Sequence, residues 1–365
     1  MGPEDRLQFK SKEIEARFVD PAGKAVVKRI EIRTNPITRR SCRITYSRKD
    51  EKEAGTDTLP PPPPDALDSE NCPFCRHHVL SRTPRLPANG FSQERLVLNE
   101  SILFPNLFPY GSHSAVSIFG DRHYVEIGTA RPSSYRDSFK NAVRYLQQVR
   151  GIDPAAVYTS ITQNHLPSAG GSLVHPHLQI NADREPGNHQ RFLMHKSRQY
   201  YNDHRVLIFS DYLRHEKAAG SRYIGKSGGW EWLAAFAPEG FYELWAILPG
   251  VTSWAELDDG RLMHLATGIV NAQRFYRSLN RNGYNLGLLS VEVPESRLEL
   301  RVVMVVRSNY APWVRNDHTG FELMLGDMAT FTPPEETAAL ARPFWNASTR
   351  LAISPHEETL MARRE

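Results

Sequence analysis

The stretch Asn164-His-Leu-Pro-Ser-Ala-Gly-Gly-Ser-Leu-Val-His-Pro-His-Leu-Gln-Ile-Asn-Ala-Asp183 combines glycines, two near-adjacent histidines and an amide in one short segment. If a strand runs from Leu173 onward, side chains alternate between its faces, so His175, His177 and Gln179 point the same way. Pro176 lacks a backbone N–H and suits a strand start or edge. The stretch therefore predicts three polar side chains on one face of a strand and is the candidate active site.

The segment before this strand, Ser168-Ala-Gly-Gly-Ser172, is predicted to be a flexible turn whose backbone N–H groups could approach an anion. A turn of donors followed by an imidazole suits phosphate chemistry. Other interpretations stay open at this point. A His-x-His pair can be a surface pair or half of a metal site, and a Gly-Gly turn can simply reverse the chain.

The composition is that of a soluble globular protein. The chain has 365 residues, of which 40% are hydrophobic and 24% charged, which predicts two domains or one large duplicated domain. No apolar run approaches the roughly 18 residues needed to cross a bilayer, and the polar start of the chain is not followed by an apolar segment typical of a secretory signal. We therefore expect a cytoplasmic protein without a membrane partner.

The charge pattern bears on the ligand. The net charge is +4, and the arginines are scattered along the chain. This pattern fits a phosphate-bearing small molecule. Nucleic-acid binders usually carry a concentrated basic stripe or a known reader motif, so we do not expect a nucleic-acid partner.

Cys72-Pro-Phe-Cys75 contains two of the three cysteines. This spacing lets two thiolates reach one tetrahedral ion. Redox chemistry is the rival interpretation, but a redox pair would need a βαβ context in which the first cysteine opens a helix, and Pro73 with the preceding prolines gives no such context. Zinc is favoured. The histidines available as further ligands are His77, His78, His113, His123 and His175.

The periodicity of the chain predicts two similar halves. Residues 29–33 and 43–48 form a predicted hairpin, and residues 50–70 a charged, then proline-rich, exposed loop. In the first half, strands are predicted near 95–99, 114–119 and 157–161, with an amphipathic helix over 133–150. The second half repeats this logic with a hairpin over 230–248, a helix over 262–279 and a strand over 298–306. That last strand takes the place of the His-Pro-His segment but contains no histidine, which favours a duplicated fold with one active half.

With these residues assembled, the chain resembles the galactose-1-phosphate uridylyltransferase family, a branch of the histidine-triad superfamily built from two α+β halves. The features that match this family extend over nearly the whole chain. They are Asn35-Pro-x-Thr38, Arg48, Cys72-Pro-Phe-Cys75, Asn99, Asp121-Arg-His123, Asn164, His175-Pro-His177-x-Gln179, Trp232, the hairpin over 236–249 and Gly320-Phe-Glu322.

The resemblance implies an α+β fold of mainly antiparallel sheets flanked by helices. It implies a first half over residues 1–200, carrying the metal and the nucleophile, and a second half over 201–365 with a degenerate motif that completes the substrate pocket. His177 is then the nucleophile that takes a nucleoside monophosphate from a nucleotide-activated substrate. Gln179 contacts the phosphoryl oxygens, helped by Ser172 and the backbone of Gly170 and Gly171.

The resemblance also implies the contacts with the substrate and with zinc. Asn99 and Asn164 match nucleotide contacts, Arg48 matches a residue that reaches the nucleotide from a neighbouring subunit, and Glu322 matches a sugar contact. A homodimer is implied by this analogy. The implied ligands of one structural zinc ion per chain are Cys72, Cys75, His123 and His175; His77 and His78 are then surface residues.

Two departures from the family pattern concern the hexose phosphate. Met328 stands where a glutamine is expected, and Asn316 where a lysine is expected. We therefore expect a nucleotidyltransferase acting on a nucleotide sugar and a phosphorylated acceptor. A phosphorylase or hydrolase of nucleotide sugars or dinucleoside polyphosphates, like ADP-glucose phosphorylase, is the alternative. A non-catalytic zinc-stabilised scaffold is a third class, against which the intact His177 and Gln179 speak.

Overall fold

The computed structural model describes residues 6–46, 59–310 and 324–351, which form a mixed α+β fold with one large and one small sheet flanked by helices. The strands are β1 (Lys10–Val19), β2 (Ala25–Thr34), β3 (Ser41–Ile44), β4 (Leu96–Leu98), β5 (Ser101–Pro105), β6 (His113–Ile118), β7 (Tyr158–His165), β8 (His177–Asp183), β9 (Tyr223–Ser227), β10 (Trp230–Ala234), β11 (Leu244–Ile247), β12 (Tyr284–Val291), β13 (Arg301–Val306) and β14 (Met328–Thr330). The helices are α1 (Pro64–Leu67), α2 (Val79–Arg82), α3 (Pro132–Ile152), α4 (Asn188–His204), α5 (Ile208–Ala219), α6 (Asp259–Ser278) and α7 (Pro334–Leu351). The predicted fold class is confirmed.

The strand order of the large sheet repeats itself about its centre. Its ten strands run β4-β5-β6-β8-β7-β12-β13-β11-β10-β9. Each half contributes five strands, β4–β8 and β9–β13. From the outer edge of the sheet inward, their order along the chain is first, second, third, fifth and fourth in both halves. In each half a long helix, α3 or α6, precedes the fourth strand in the chain. The two halves meet where β7 pairs antiparallel with β12 from Tyr158↔Val291 to His165↔Tyr284. This topology is what a duplication of one unit would produce.

The large sheet is covered on both faces. On one face the main core contains buried residues of α3, α6 and α7, such as Phe139, Phe275 and Trp345. On the other face a second core contains Leu193 of α4, Phe209 of α5 and residues of the small sheet. Alternation along β7 assigns Ile161 to the first face and Asn164 to the second. The second face carries the polar side chains that concern function.

Helices α3 and α6 agree with the sequence prediction. Both have a continuous apolar stripe, and α3 begins with Pro132, where the missing N–H is not needed. Helix α6 is capped by Asp258, whose side chain accepts a hydrogen bond from the Arg261 backbone N–H at 2.7 Å.

The small sheet pairs the N-terminal strands with β14 in the order β1-β2-β3-β14. The predicted hairpin is present, since β2 pairs antiparallel with β3. It is preceded by β1, which the sequence analysis left without an element. Strands β1 and β2 form a ten-pair hairpin from Lys10↔Thr34 to Val19↔Ala25. Nearly all residues of β1 are exposed, so this hairpin projects from the body of the protein.

Several predictions of local structure differ from the fold. Residues 47–58, which include the first nine residues of the predicted loop over 50–70, lie outside the described residues. In the described part of that loop, Pro64 begins α1, and Pro63 and Ala66 are buried instead of exposed. The expected division at residues 200 and 201 falls inside α4, which ends where Arg205 adopts a left-handed conformation. Among the described helices, none is long and apolar enough to span a membrane.

Candidate active site and metal centre

The sequence predicted a strand that includes His175, but strand β8 begins two residues later, at His177. His177 and Gln179 lie on one face of it, and Gln179 is paired with Thr162 of β7. His175 precedes the strand, and its ring is turned away from them towards the cysteines. The backbone explains the late start, because Pro176 has no N–H to donate to the ladder, and its carbonyl accepts from Phe119 N at 3.2 Å.

The four expected metal ligands come together. The ligand atoms of Cys72, Cys75, His123 and His175 all lie within 4.8 Å of one another. The Cys75 Sγ atom is 3.4 Å from His123 Nδ1 and 3.6 Å from His175 Nδ1, and Cys72 Sγ is 3.9 Å from His175 Nδ1. Tetrahedral zinc with Zn–S of about 2.3 Å and Zn–N of about 2.0 Å requires S···N separations of about 3.6 Å. The set therefore fits one tetrahedral ion.

The chemistry of the ligands supports the same conclusion. His175 Nε2 donates to the Gly120 carbonyl at 2.8 Å, which leaves Nδ1 with its lone pair facing the cysteines. Burial and the neighbouring Cys72 raise the pKa of the Cys75 thiol well above its usual value, so its thiolate needs a nearby cation. Outside the set, His77 is exposed and His78 Nε2 lies 2.7 Å from the Glu70 carbonyl.

The orientation of His177 is fixed by one hydrogen bond. Its Nδ1 donates to the carbonyl of His175 at 2.8 Å, which leaves Nε2 as the unprotonated nitrogen. The ring is 6% exposed, and burial lowers its pKa below the ordinary value. Phe74 of the metal-binding segment packs edge-on against the ring, with centroids 5.3 Å apart. The result is a neutral imidazole with a defined tautomer, held by the same segment that holds the metal ligands.

The glycine turn differs from its prediction. Gly170 N donates to the Pro167 carbonyl at 2.9 Å, and Gly171 N to the Leu166 carbonyl at 3.1 Å, so neither N–H is available to an anion. Gly171 is required sterically, because a Cβ atom there would lie 2.9 Å from the Asn164 carbonyl oxygen. The role of the glycines is to shape the turn. The donor that the turn presents is the exposed Ser172, whose hydroxyl has no hydrogen-bond partner in the described part of the chain.

Asn164 is held by the second half of the protein. The Asn164 side-chain oxygen accepts a hydrogen bond from Asn285 Nδ2 at 2.7 Å. Asn285 Nδ2 also donates to the Ala169 carbonyl at 2.8 Å. Arg307 Nη1 in turn donates to Asn285 Oδ1 at 2.8 Å. Sequence reasoning missed Asn285 and Arg307; the strand over 284–291 was itself not predicted. The site is therefore built from both halves.

The other expected substrate contacts are less closely connected. Asn99 is in the turn between β4 and β5, at the end of the sheet near His177, and its side chain donates to Asp137 of α3 at 2.9 Å. Arg48, Asn316 and Glu322 lie outside the described residues. Met328 is 5% exposed and packs in the second core, so its thioether does not line a sugar pocket of its own chain.

The comparisons with solved structures define a fold class. The crystal structure of an ADP-glucose phosphorylase from Arabidopsis thaliana with bound ADP-glucose superposes with a TM-score of 0.65 at 20% identity, covering 86% of this chain and 98% of that one. A uridylyltransferase structure superposes with a TM-score of 0.61 at 17% identity, covering 87% and 98%. The chain thus has the fold that these two structures share, as the sequence resemblance predicted.

Sequence comparison adds one relative. An uncharacterized protein of Archaeoglobus fulgidus is 27% identical over 348 residues, which cover 93% of this chain and 99% of that protein. No family model matches the chain.

Proposed function

We propose that this chain is a nucleotidyltransferase that moves a nucleoside monophosphate between a nucleotide sugar and a sugar 1-phosphate through a covalent intermediate on His177. The observation that carries the proposal is the His177 ring, whose Nδ1–H bond to the His175 carbonyl leaves Nε2 unprotonated and without a hydrogen-bond partner in the described part of the chain. A neutral imidazole nitrogen with a fixed tautomer is a competent nucleophile near pH 7.

The reaction divides into two displacements at the α-phosphorus. His177 Nε2 attacks, the N–P bond forms, and the bond to the sugar phosphate oxygen breaks, so that the sugar 1-phosphate leaves with the electron pair. In the second step a phosphate oxygen of the acceptor attacks the same phosphorus and the N–P bond breaks. Nδ1 keeps its proton throughout, and the His175 carbonyl stabilises the positive charge that the ring carries in the intermediate.

The surrounding side chains have roles in binding. Gln179 shares the face of His177 and can donate its amide N–H to the phosphoryl oxygens, with the Ser172 hydroxyl as a second donor. Asn164, fixed by Asn285, can contact the nucleotide through its amide group. Zinc held by Cys72, Cys75, His123 and His175 would be structural, since four protein ligands close its coordination shell.

Phosphorolysis is a second candidate, in which inorganic phosphate replaces the sugar 1-phosphate as acceptor. It is favoured by the burial of Met328, which removes one expected hexose contact. The fold of the Arabidopsis ADP-glucose phosphorylase is also among those that this chain matches. The nucleobase is left open by both candidates, and a cytoplasmic homodimer, in which Arg48 and Glu322 contact the substrate, remains part of the proposal.

The test is covalent trapping. The purified protein is incubated with UDP-glucose or ADP-glucose labelled in the α-phosphate, and the label on the denatured chain is measured; a phosphoramidate is acid-labile and base-stable. We expect labelling of the wild type and of the matched control His77→Ala, and none of His177→Ala. Chasing the labelled protein with galactose 1-phosphate or inorganic phosphate then decides between the two acceptors. Labelling that persists in His177→Ala, or turnover without labelling of the wild type, contradicts the proposal.

A further inference from the structure

A cavity lies on the same face of the large sheet as His177, above the second half. Its volume is about 340 Å³, which is within the usual range for small-molecule sites. Its floor is formed by β7, β12 and β13, and Leu193 of α4 and Phe209 of α5 form its walls. Most of its lining is apolar. Asn164 and Asn285 line the end nearest the glycine turn, and Arg301 lines the floor of the second half.

The space exists because of a glycine in the floor. Gly287, in the middle of β12, is paired with Thr162 of β7 on one side and Val303 of β13 on the other. A Cβ atom built on Gly287 would meet nothing within 4 Å. Glycine in a strand interior weakens the strand and commonly marks a place where a ligand or another backbone approaches. A larger side chain here would enter the cavity.

Arg301 brings a positive charge into this cavity. Its guanidinium carbon lies over two aromatic rings, 4.0 Å from the centroid of Trp245 and 4.6 Å from that of Phe209. Trp245 and Phe209 are fully buried. In the described part of the chain no carboxylate lies within ion-pair distance of Arg301, and its guanidinium N–H groups make no hydrogen bond. Arginine has five donors in a fixed fork, so this residue has binding capacity that the protein itself does not use.

The acidic side chains near Arg301 accept hydrogen bonds from other groups. Glu299, which also lines the cavity, accepts hydrogen bonds from Ser210 and from Gly250 N. Glu243 accepts from the Trp245 indole and from the backbone N–H of Glu239. Burial and the neighbouring Glu239 raise the pKa of Glu243 to about 7, so it is only partly ionised near neutrality. An anion entering the cavity would meet an arginine that no carboxylate of the described residues contacts directly.

The position of Arg301 in the fold is the counterpart of that of His177. His177 is the first residue of β8, the fifth strand of the first half, and Arg301 is the first residue of β13, the fifth strand of the second half. These strands are three strand spacings apart in the sheet, which is about 14 Å. The positive end of the cavity is therefore too far from His177 to hold the phosphate that is transferred.

We infer that this cavity is a second ligand site, which binds a small organic anion through Arg301 and covers its apolar body with Leu193, Phe209 and Val303. The ligand class is a carboxylate or phosphate monoester on a compact apolar or aromatic group. Bidentate binding by the guanidinium supplies the specificity, and Gly287 supplies the room. This site does not depend on the proposed transfer chemistry.

The experiment measures binding of phenyl phosphate and of benzoate to the full chain by calorimetry. We expect both anions to bind the wild type and the uncharged phenol to bind more weakly. Arg301→Met should weaken the binding of both anions at least about tenfold, since a charge-assisted pair is lost. Gly287→Leu should abolish it by filling the cavity. His177→Ala should bind both anions as the wild type does, because its imidazole is not part of this cavity.

Thermal unfolding of each variant shows whether a loss of binding is caused by a loss of folding. Removing an unpaired, half-buried charge should leave the melting temperature of Arg301→Met unchanged or raise it, so lost binding is not lost folding. Three results overturn the inference: no binding of either anion to the wild type at millimolar concentration, unchanged binding in both Arg301→Met and Gly287→Leu, or loss of binding in His177→Ala alone. Covalent labelling of His177 is measured on the same samples, so a failure of the transfer proposal is recorded separately.

Discussion

Gly171 illustrates how one residue shapes the candidate site. A Cβ atom there would lie 2.9 Å from the Asn164 carbonyl oxygen and 3.0 Å from that of Leu166. Both are backbone atoms, which cannot move aside without displacing the turn. The adjacent Gly170 has a left-handed φ of +85°, but a Cβ there would meet nothing within 4 Å. The two glycines thus have different reasons for being glycine.

This difference predicts unequal effects of substitution. Gly171→Ala should lower the free energy of unfolding by about 1–3 kcal/mol, because overpacking against backbone must be relieved by a shift of the turn. Gly170→Asn is the matched control and should be milder, since asparagine tolerates the left-handed region. Urea unfolding of both variants measures the two effects. Equal destabilisation would mean that the turn is less tightly packed than its geometry indicates.

His165 gives the protein a built-in sensitivity to acid. It is 5% exposed, its ring stacks on Tyr284, and its Nε2 has no hydrogen-bond partner in the described part of the chain. Burial lowers its pKa to about 4 from 6.5. Between these two values the unfolded chain binds a proton that the folded chain does not, so stability falls as the pH falls from 6.5 to 4. The largest contribution is about 3 kcal/mol at one histidine.

We therefore expect His165→Phe to flatten the dependence of stability on pH. Phenylalanine keeps the stacking on Tyr284 and does not titrate. Unfolding free energies measured by denaturant between pH 4 and pH 7.5 should show a smaller decrease on acidification for the variant than for the wild type. The metal ligands are present in both proteins, so their contribution cancels in the difference. Parallel curves would show that His165 is protonated without cost in the folded state.

At the scale of elements, the segment around Cys72 connects the candidate metal centre, His177 and the core. Cys72 and Cys75 belong to the candidate metal centre, and Phe74 between them packs on Phe104 and on His177. Loss of the ion should therefore loosen the small core in which Phe74 packs against Phe104, Val116 and Ile118, and with it the surroundings of His177. A structural zinc that orders such a loop contributes directly to folding free energy.

We predict about one zinc ion per chain and none in Cys72→Ser, with a lower melting temperature. Cys42→Ala is the matched control, because Cys42 is buried but remote from the four ligands; it should keep its metal. Elemental analysis and thermal unfolding give the two readouts. A folded and active wild type that contains no metal, or two ions per chain, would contradict this prediction.

Some elements with an apolar period were predicted from the sequence, and others were missed. Helices α3 and α6 bury long apolar stripes, and both were predicted. Helix α4 was missed because two of its four buried residues, Gln190 and Ser197, are polar, and β1 because nearly all of its residues are exposed. In the site, local motifs indicated the two cysteines and the His175–His177 pair, and only the family resemblance singled out His123 and His175 as metal ligands. Asn285 and Arg301 were missed because only the pairing of distant strands gives them a role.

At the scale of the whole molecule, the two halves share their interior. Strand β7 pairs with β12 along eight residues of each. Behind this junction the hydroxyls of Tyr135 and Tyr284 both donate to Gln163 Oε1, at 3.0 and 3.1 Å. The main core contains residues of both halves, such as Phe139 and Phe275. This arrangement favours a single cooperative unit over two separable domains.

We predict that cutting the chain between the halves leaves them together. A protease site inserted beside the exposed Arg205, between α4 and α5, should be cleaved without disrupting the described elements. The two fragments should elute as one species in size-exclusion chromatography and unfold in one transition. Fragments that separate and each melt cooperatively would show that the proposed halves are independent domains.

The β1–β2 hairpin restricts how copies of this chain can associate. Strand β1 is the outer strand of its sheet, and an outer strand with unpaired backbone groups invites a neighbouring strand to join it. Lys10, Lys12, Glu13, Glu15 and Arg17 are spread along this strand and exposed. A continuous sheet across two molecules at β1 would crowd these charges against those of a second copy. Because these charges are of both signs, only a register that sets opposite charges against each other would be favourable, and this requirement protects the molecule from open-ended, fibre-like stacking of strands.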